Sequence, residues 1–108
     1  MNHDVFLTAD AESDILEIWK YVARHDLAER AGSLIDALQE TCFSLGSFPD
    51  RGHYPPELQR VSVLDYRELH YTPCRIIYRI IDRKVFIHCV LDGKRDLQEL
   101  LLERLIRG

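Results

Sequence analysis

The chain lacks any apolar run of 18 or more residues, which excludes a membrane-spanning helix. Its opening stretch, MNHDVFLTAD, has neither a basic n-region nor a hydrophobic h-region, so no secretory leader is expected and a cytoplasmic location is. Cysteine is scarce. The three present, Cys42, Cys74 and Cys89, are odd in number and form no Cys-x-x-Cys pair. That spacing argues against a disulfide framework or a cysteine zinc site and for small, buried or half-buried thiols in a reducing compartment. No metal or cofactor is expected. Internal repeats, linkers and low-complexity segments are also missing, so the 108 residues read as one domain, 1–108. Excess positive charge is absent too. A net charge of −4 excludes bulk nucleic-acid binding by a basic surface, and no sequence-specific DNA contact is expected.

The charge that is present is unevenly placed. Residues 1–66 carry 5 basic and 12 acidic side chains; residues 67–108 carry 9 basic and 6 acidic. Arginines at 67, 75, 79, 83 and 95 concentrate in a region that otherwise reads as sheet. Such a face suits a phosphate or an acidic protein partner. The plainer alternative is that Arg75 and Arg95 pair with Glu68, Asp92 or Asp96.

Hydrophobic spacing predicts the elements. Val5, Phe6 and Leu7 suggest a strand over 3–7. Thr8 is a good N-cap, and Asp10 and Glu12 suit the first turn of a helix. Ile15, Ile18, Trp19 and Val22 form one stripe of a helix over 9–24, with Trp19 expected as a core anchor. Asp26 and Glu29 have capping-box spacing before a second helix over 27–45, closed by Gly46. The short connection implies an antiparallel helical hairpin. Residues 46–60 read as a loop broken by Pro55 and Pro56. Val61, Val63 and Leu64 suggest the start of a strand that breaks near Asp65 and resumes from Arg67 to Tyr71. Thr72-Pro73 makes a turn. Cys74–Ile81 alternates, with Ile76, Tyr78 and Ile80 on one face and Arg75, Ile77, Arg79 and Ile81 on the other. Residues 85–91 alternate likewise, placing Val85, Ile87, Cys89 and Leu91 opposite Phe86, His88 and Val90. Leu97, Leu100, Leu101 and Leu105 mark a last helix. Helices before a strand meander give an α+β fold: N-terminal strand, antiparallel helical hairpin, three-stranded antiparallel meander completing one sheet, and C-terminal helix, with the helices gathered on one face.

Taken together, LTADAESDILEIWKYVARHD, the long second helix, YRELHYTPCRIIYRI and VFIHCVLDGKRDLQELL resemble the RelE/ParE toxin superfamily over nearly the whole chain. The opening helix and VLDGKRDL resemble the ParE branch most. The resemblance implies the toxin of a bacterial type II toxin–antitoxin pair, neutralised by a small ParD/RelB-like antitoxin. ParE-type members poison DNA gyrase, whereas RelE-type members cut mRNA on the ribosome. An inactive copy that only binds its antitoxin is a third reading.

Ribonuclease chemistry needs a base, an acid and cations for the developing charge. The RelE pattern matches at Arg75 and Arg95, and approximately at Arg67. The RelE tyrosine falls on Leu101, which cannot transfer a proton, and the second lysine of the pattern falls on Leu69. A ribonuclease would therefore combine Arg75 and Arg95 with His70, Tyr71 or His88. A partner-binding face would draw on Arg67, Arg75, Arg79, Lys94 and Arg95 with the aromatics Tyr21, Tyr54 and Phe86.

Overall fold

The computed structural model describes residues 2–92 and 95–107, with side chains through Arg104. Strand β1 (Asp4–Leu7) leads into helix α1 (Ala9–His25) and helix α2 (Ala28–Ser44). A 3-10 turn (Pro49–Arg51) and the short helix α3 (Pro56–Gln59) follow. Strands β2 (Arg67–Tyr71), β3 (Cys74–Ile81) and β4 (Lys84–Asp92) form the meander, and helix α4 (Leu97–Arg107) closes the chain. No helix of the described residues is long and apolar enough to cross a membrane.

The sheet order is β1-β4-β3-β2. β1 runs parallel to β4, pairing Asp4 with Lys84 and Leu7 with Ile87. The β3–β4 turn puts Asp82 at φ 56°, a left-handed conformation that Asp tolerates better than most residues.

Thr8 caps α1 as its sequence position predicts, accepting from the Ala11 N–H at 3.1 Å. The capping box expected at α2 does not form. Its N-cap is Leu27, with no side-chain cap; Asp26 instead accepts from the Leu27 N–H and from Arg30. Residues 46–60 are not loop throughout, because Pro56 sits at the first turn of α3, where its missing N–H costs nothing. No strand forms at 61–64. Ser62 turns there at φ 62°, and backbone bonds from Val61 and Val63 to Leu58 fold the segment back on α3.

The helices do not gather on one face. One core joins α1 and α2 to the sheet through Ile15, Leu38, Cys42, Ile76, Tyr78 and Ile87. A second, on the other face, joins α3 and α4 to Ile77, Cys89 and Leu91. β3 alternates between the two, sending Ile76 and Tyr78 to the first core and Ile77 to the second, whereas the β3–β4 pairing carries an irregularity. Ile77 opposes Cys89 but Tyr78 opposes Ile87, so His88 is an extra residue in β4. A bulge reverses the side-chain alternation beyond it. Val85 and Ile87 therefore share a core with Val90, while Cys89 and Leu91 face α4. This corrects the regular alternation expected of 85–91. Trp19 is corrected as well: it is 41% exposed, because Ala11, Asp14 and Ile15 form the buried line of α1.

All three cysteines are free and buried. Burial raises the Cys42 thiol to about 12 and the Cys89 thiol to about 11.

Candidate functional site

The densest polar constellation lies where the 49–57 segment crosses strand β2. Gly52 makes the crossing feasible. A Cβ there would sit 2.4 Å from the Tyr78 hydroxyl and 2.7 Å from the Glu68 carbonyl oxygen. The buried Tyr78 hydroxyl donates to the Pro49 carbonyl at 2.7 Å and accepts from the Gly52 N–H at 3.0 Å. Two backbone bonds then pair His53 with Glu68 as an isolated antiparallel bridge.

Glu68 is 1% exposed and central. Arg75, from the adjacent strand, donates its Nε to Glu68 Oε2 at 2.6 Å. The rest of the guanidinium grips Glu57 of α3 in a fork, at 2.9 and 2.7 Å. These bonds hold the Glu57 carboxyl below the ordinary carboxylate range, chiefly through the Arg75 hydrogen bond, and push the Arg75 guanidinium up, chiefly through Glu57. The second Glu68 oxygen, Oε1, faces His53 Nε2 at 2.8 Å and His70 Nε2 at 3.3 Å. A hollow of about 430 Å³ opens beside Arg75, Glu57, Glu68 and His70.

Of the residues considered for a ribonuclease, Arg75 and His70 therefore do share a cleft. The arginine there is only 10% exposed and is bound by two carboxylates. Arg60 also lines the hollow, so two guanidiniums face two carboxylates and no net positive charge remains; with Arg75 already held by both carboxylates, this is a poor seat for a phosphate.

Arg95 and His88 lie apart from this cleft. Arg95 lines a shallow hollow with Asp96 and Glu99. His88 stacks edge-on against Tyr66 at 5.6 Å, and its Nε2 has no hydrogen-bond partner. Burial, with Arg79 and Arg104 nearby, lowers the His88 imidazole below its ordinary value. Leu101 packs against the second core.

The partner-face residues divide among separate places. Arg67 donates to the Gly52 carbonyl at 3.0 Å and lies over the Tyr54 ring at 4.9 Å. Arg79 lies 5.8 Å from the centre of the Tyr66 ring and shares a second hollow with Arg67 and Tyr54. Phe86 stacks on Phe6 at 5.5 Å, across the β1–β4 pair. Tyr21 is 66% exposed and lines a groove with Arg95 between α1 and the end of the sheet. Lys94 lies outside the described residues.

Sequence reasoning missed Glu57, hidden in what reads as a proline-rich loop, and His53, which the bridge brings to Glu68. One signal was available: Glu68-x-His70 in a strand places both side chains on one face. It also missed a buried ion pair. β1 reaches only as far as Ile87, leaving the edge of β4 opposite β3 without a strand neighbour beyond it. Asp14 of α1 accepts from the Val90 N–H at 3.0 Å, while Arg104 of α4 donates to Asp14 and to the His88 carbonyl.

Residues 5–97 match the family described as the ParE toxin of the type II toxin–antitoxin system, parDE. The chain belongs to the ParE toxin family. It is thus a type II toxin, ParE-like rather than merely of the wider RelE/ParE fold. A search of curated proteins found no match. Among solved structures, the chromosomal ParDE toxin–antitoxin system of P. aeruginosa superposes with a TM-score of 0.72 at 16% identity, covering 83% of this chain and 95% of that one. The RelBE2 toxin–antitoxin complex of Mycobacterium tuberculosis superposes with a TM-score of 0.62 at 23% identity, covering 85% and 99%. These two likenesses concern the fold. Both support the α+β fold described above over the shares of the chain they cover.

Proposed function

We propose that this ParE-family toxin stops growth by binding and poisoning DNA gyrase, and that a cognate antitoxin neutralises it. One observation carries the reading. Arg75, the cation that a ribonuclease of this fold would turn toward the phosphate, is buried against Glu57 and Glu68. Leu101 in the second core offers no proton to a leaving group. A toxin with its central arginine so engaged acts by binding rather than by cleavage.

The experiment is a supercoiling and DNA-cleavage assay with purified gyrase, run beside a ribosome-dependent mRNA cleavage assay. The expected result is loss of supercoiling and accumulation of gyrase-linked DNA breaks, with mRNA intact. Intact gyrase activity with cut mRNA would replace this reading with the ribonuclease one. Growth unaffected by expression without antitoxin would favour the inactive copy.

The structural relatives are toxin–antitoxin complexes by their descriptions. The surface best suited to an antitoxin here is the groove of about 510 Å³ between α1 and the sheet. Ile18, Tyr21, Val22 and Leu34 give it an apolar wall, and Arg95 stands at its rim. An amphipathic segment can lay its apolar side there and present an acidic side chain to Arg95. Tyr21→Ala and Arg95→Glu are each expected to weaken antitoxin binding at least about tenfold, read by calorimetry; a central aromatic anchor supplies that much.

A further inference from the structure

His53, Glu68 and His70 occupy one face of the sheet edge for two independent reasons. Glu68 and His70 are two residues apart on β2, so their side chains point the same way. His53 is the bridge partner of Glu68, so its side chain joins them. Their donor atoms, His53 Nε2, His70 Nε2 and Glu68 Oε1, all lie within 4.8 Å of one another. The two separations from Oε1 are 2.8 and 3.3 Å. A tetrahedral zinc ion with ligands at its usual bond lengths has donor atoms about 3.4 Å apart. Small side-chain adjustments bring the three donors to that spacing. The imidazole rings meet edge to face, with centroids 5.4 Å apart, so neither covers the other's nitrogen.

The surroundings are also those of a metal site. The Glu68 carboxylate is held from behind by Arg75 at 2.6 Å, which fixes the orientation of the oxygen turned toward the histidines. Gly52, Tyr78 and Pro49 pin the segment that carries His53. Both histidine side chains are more than half exposed, at 60% and 58%, so an ion can enter from solvent. Two imidazoles with one carboxylate suit zinc and its neighbours rather than calcium or magnesium, which prefer all-oxygen sets.

We propose that His53, Glu68 and His70 bind one divalent transition-metal ion of the zinc class, with a coordination position left open toward the cleft beside Glu57 and Arg75. The site is independent of the gyrase reading. The bound ion ties the 49–57 segment to β2 by a bond that the apo chain replaces with hydrogen bonds to Glu68.

The test is titration of metal-stripped full-length protein with zinc chloride against a chromophoric chelator, repeated with cobalt chloride while the visible spectrum is recorded. The expected result is one ion per chain and cobalt bands of a four-coordinate nitrogen–oxygen site. His53→Ala and His70→Ala each weaken binding at least tenfold, while His25→Ala, on α1, leaves it unchanged. Both ligand variants alter exposed side chains, and circular dichroism confirms that they fold. Absence of binding at micromolar zinc overturns the proposal. So does binding that survives in either ligand variant, which would mean an adventitious ion only.

Discussion

Arg75 shows how far one residue departs from what its position suggests. Its spacing in β3 marked it as a cation on a strand face, and Glu68 was one of the carboxylates considered for it. The second carboxylate, Glu57, was not legible, because the helix that presents it begins inside a Pro-Pro pair. Replacing Arg75 by Gln leaves the buried Glu68 without its arginine, with only His53 and His70 beside it. A loss of about 3–5 kcal/mol is expected, measured by urea denaturation, because the partner of a broken buried pair stays charged in a poor solvent. Arg75→Lys recovers only part of this, since an ammonium cannot fork onto Glu57 while holding Glu68. Gly52 is a second such position. Gly52→Ala drives a methyl into the Tyr78 hydroxyl, and a cost of roughly 1–3 kcal/mol follows from overpacking a fixed neighbour. The glycine was visible in the sequence; the tyrosine oxygen against it, 26 residues on, was not.

At the scale of elements, periodicity located α1, α2, β3 and β4 to within two residues, since long regular patterns are read directly. It did not say which face of the sheet each helix covers. Nor did it show the bulge at His88, a single unpaired residue that leaves no mark in composition and decides which β4 side chains face which layer. Residues 61–64 misled because Val63 alone packs into the second core, while Val61 and Leu64 lie exposed and the backbone folds back on α3 rather than pairing. Within α2, Gly32 lies in the helix interior, and a Cβ added there meets nothing within 4 Å. Gly32→Ala is therefore expected to stabilise the protein by about 0.5–1 kcal/mol, seen as a higher denaturation midpoint with unchanged slope.

At the scale of the molecule, the Asp14–Arg104 pair joins the two helical layers through the open edge of β4. Asp14→Asn and Arg104→Gln are each expected to destabilise by about 3 kcal/mol, and the double variant by less than their sum, because Arg104→Gln strands the buried Asp14 and Asp14→Asn leaves Arg104 only the more distant Asp10. A double-mutant cycle in urea checks the shortfall. The stability of the whole also depends on pH through His88. Its folded value lies below the unfolded one near 6.5, so the unfolded chain binds more protons in between. Stability is full above about 6.5 and declines as the pH falls through the lower folded value. His88→Gln is expected to flatten that decline, measured by thermal melts between neutral and mildly acidic buffer. Glu57 acts in a separate window, below its ordinary value of 4.5. The parallel pairing of β1 with β4 has one more consequence, set by the order in which a ribosome makes the chain. Asp4 emerges first, yet its partner Lys84 is translated eighty residues later. Until then the sheet cannot close, and the nascent toxin carries an unsatisfied strand and an exposed helical layer. The four-stranded sheet therefore exists only once β4 has been translated, so three quarters of the chain must wait, unclosed, for the strand that joins β1 to the meander.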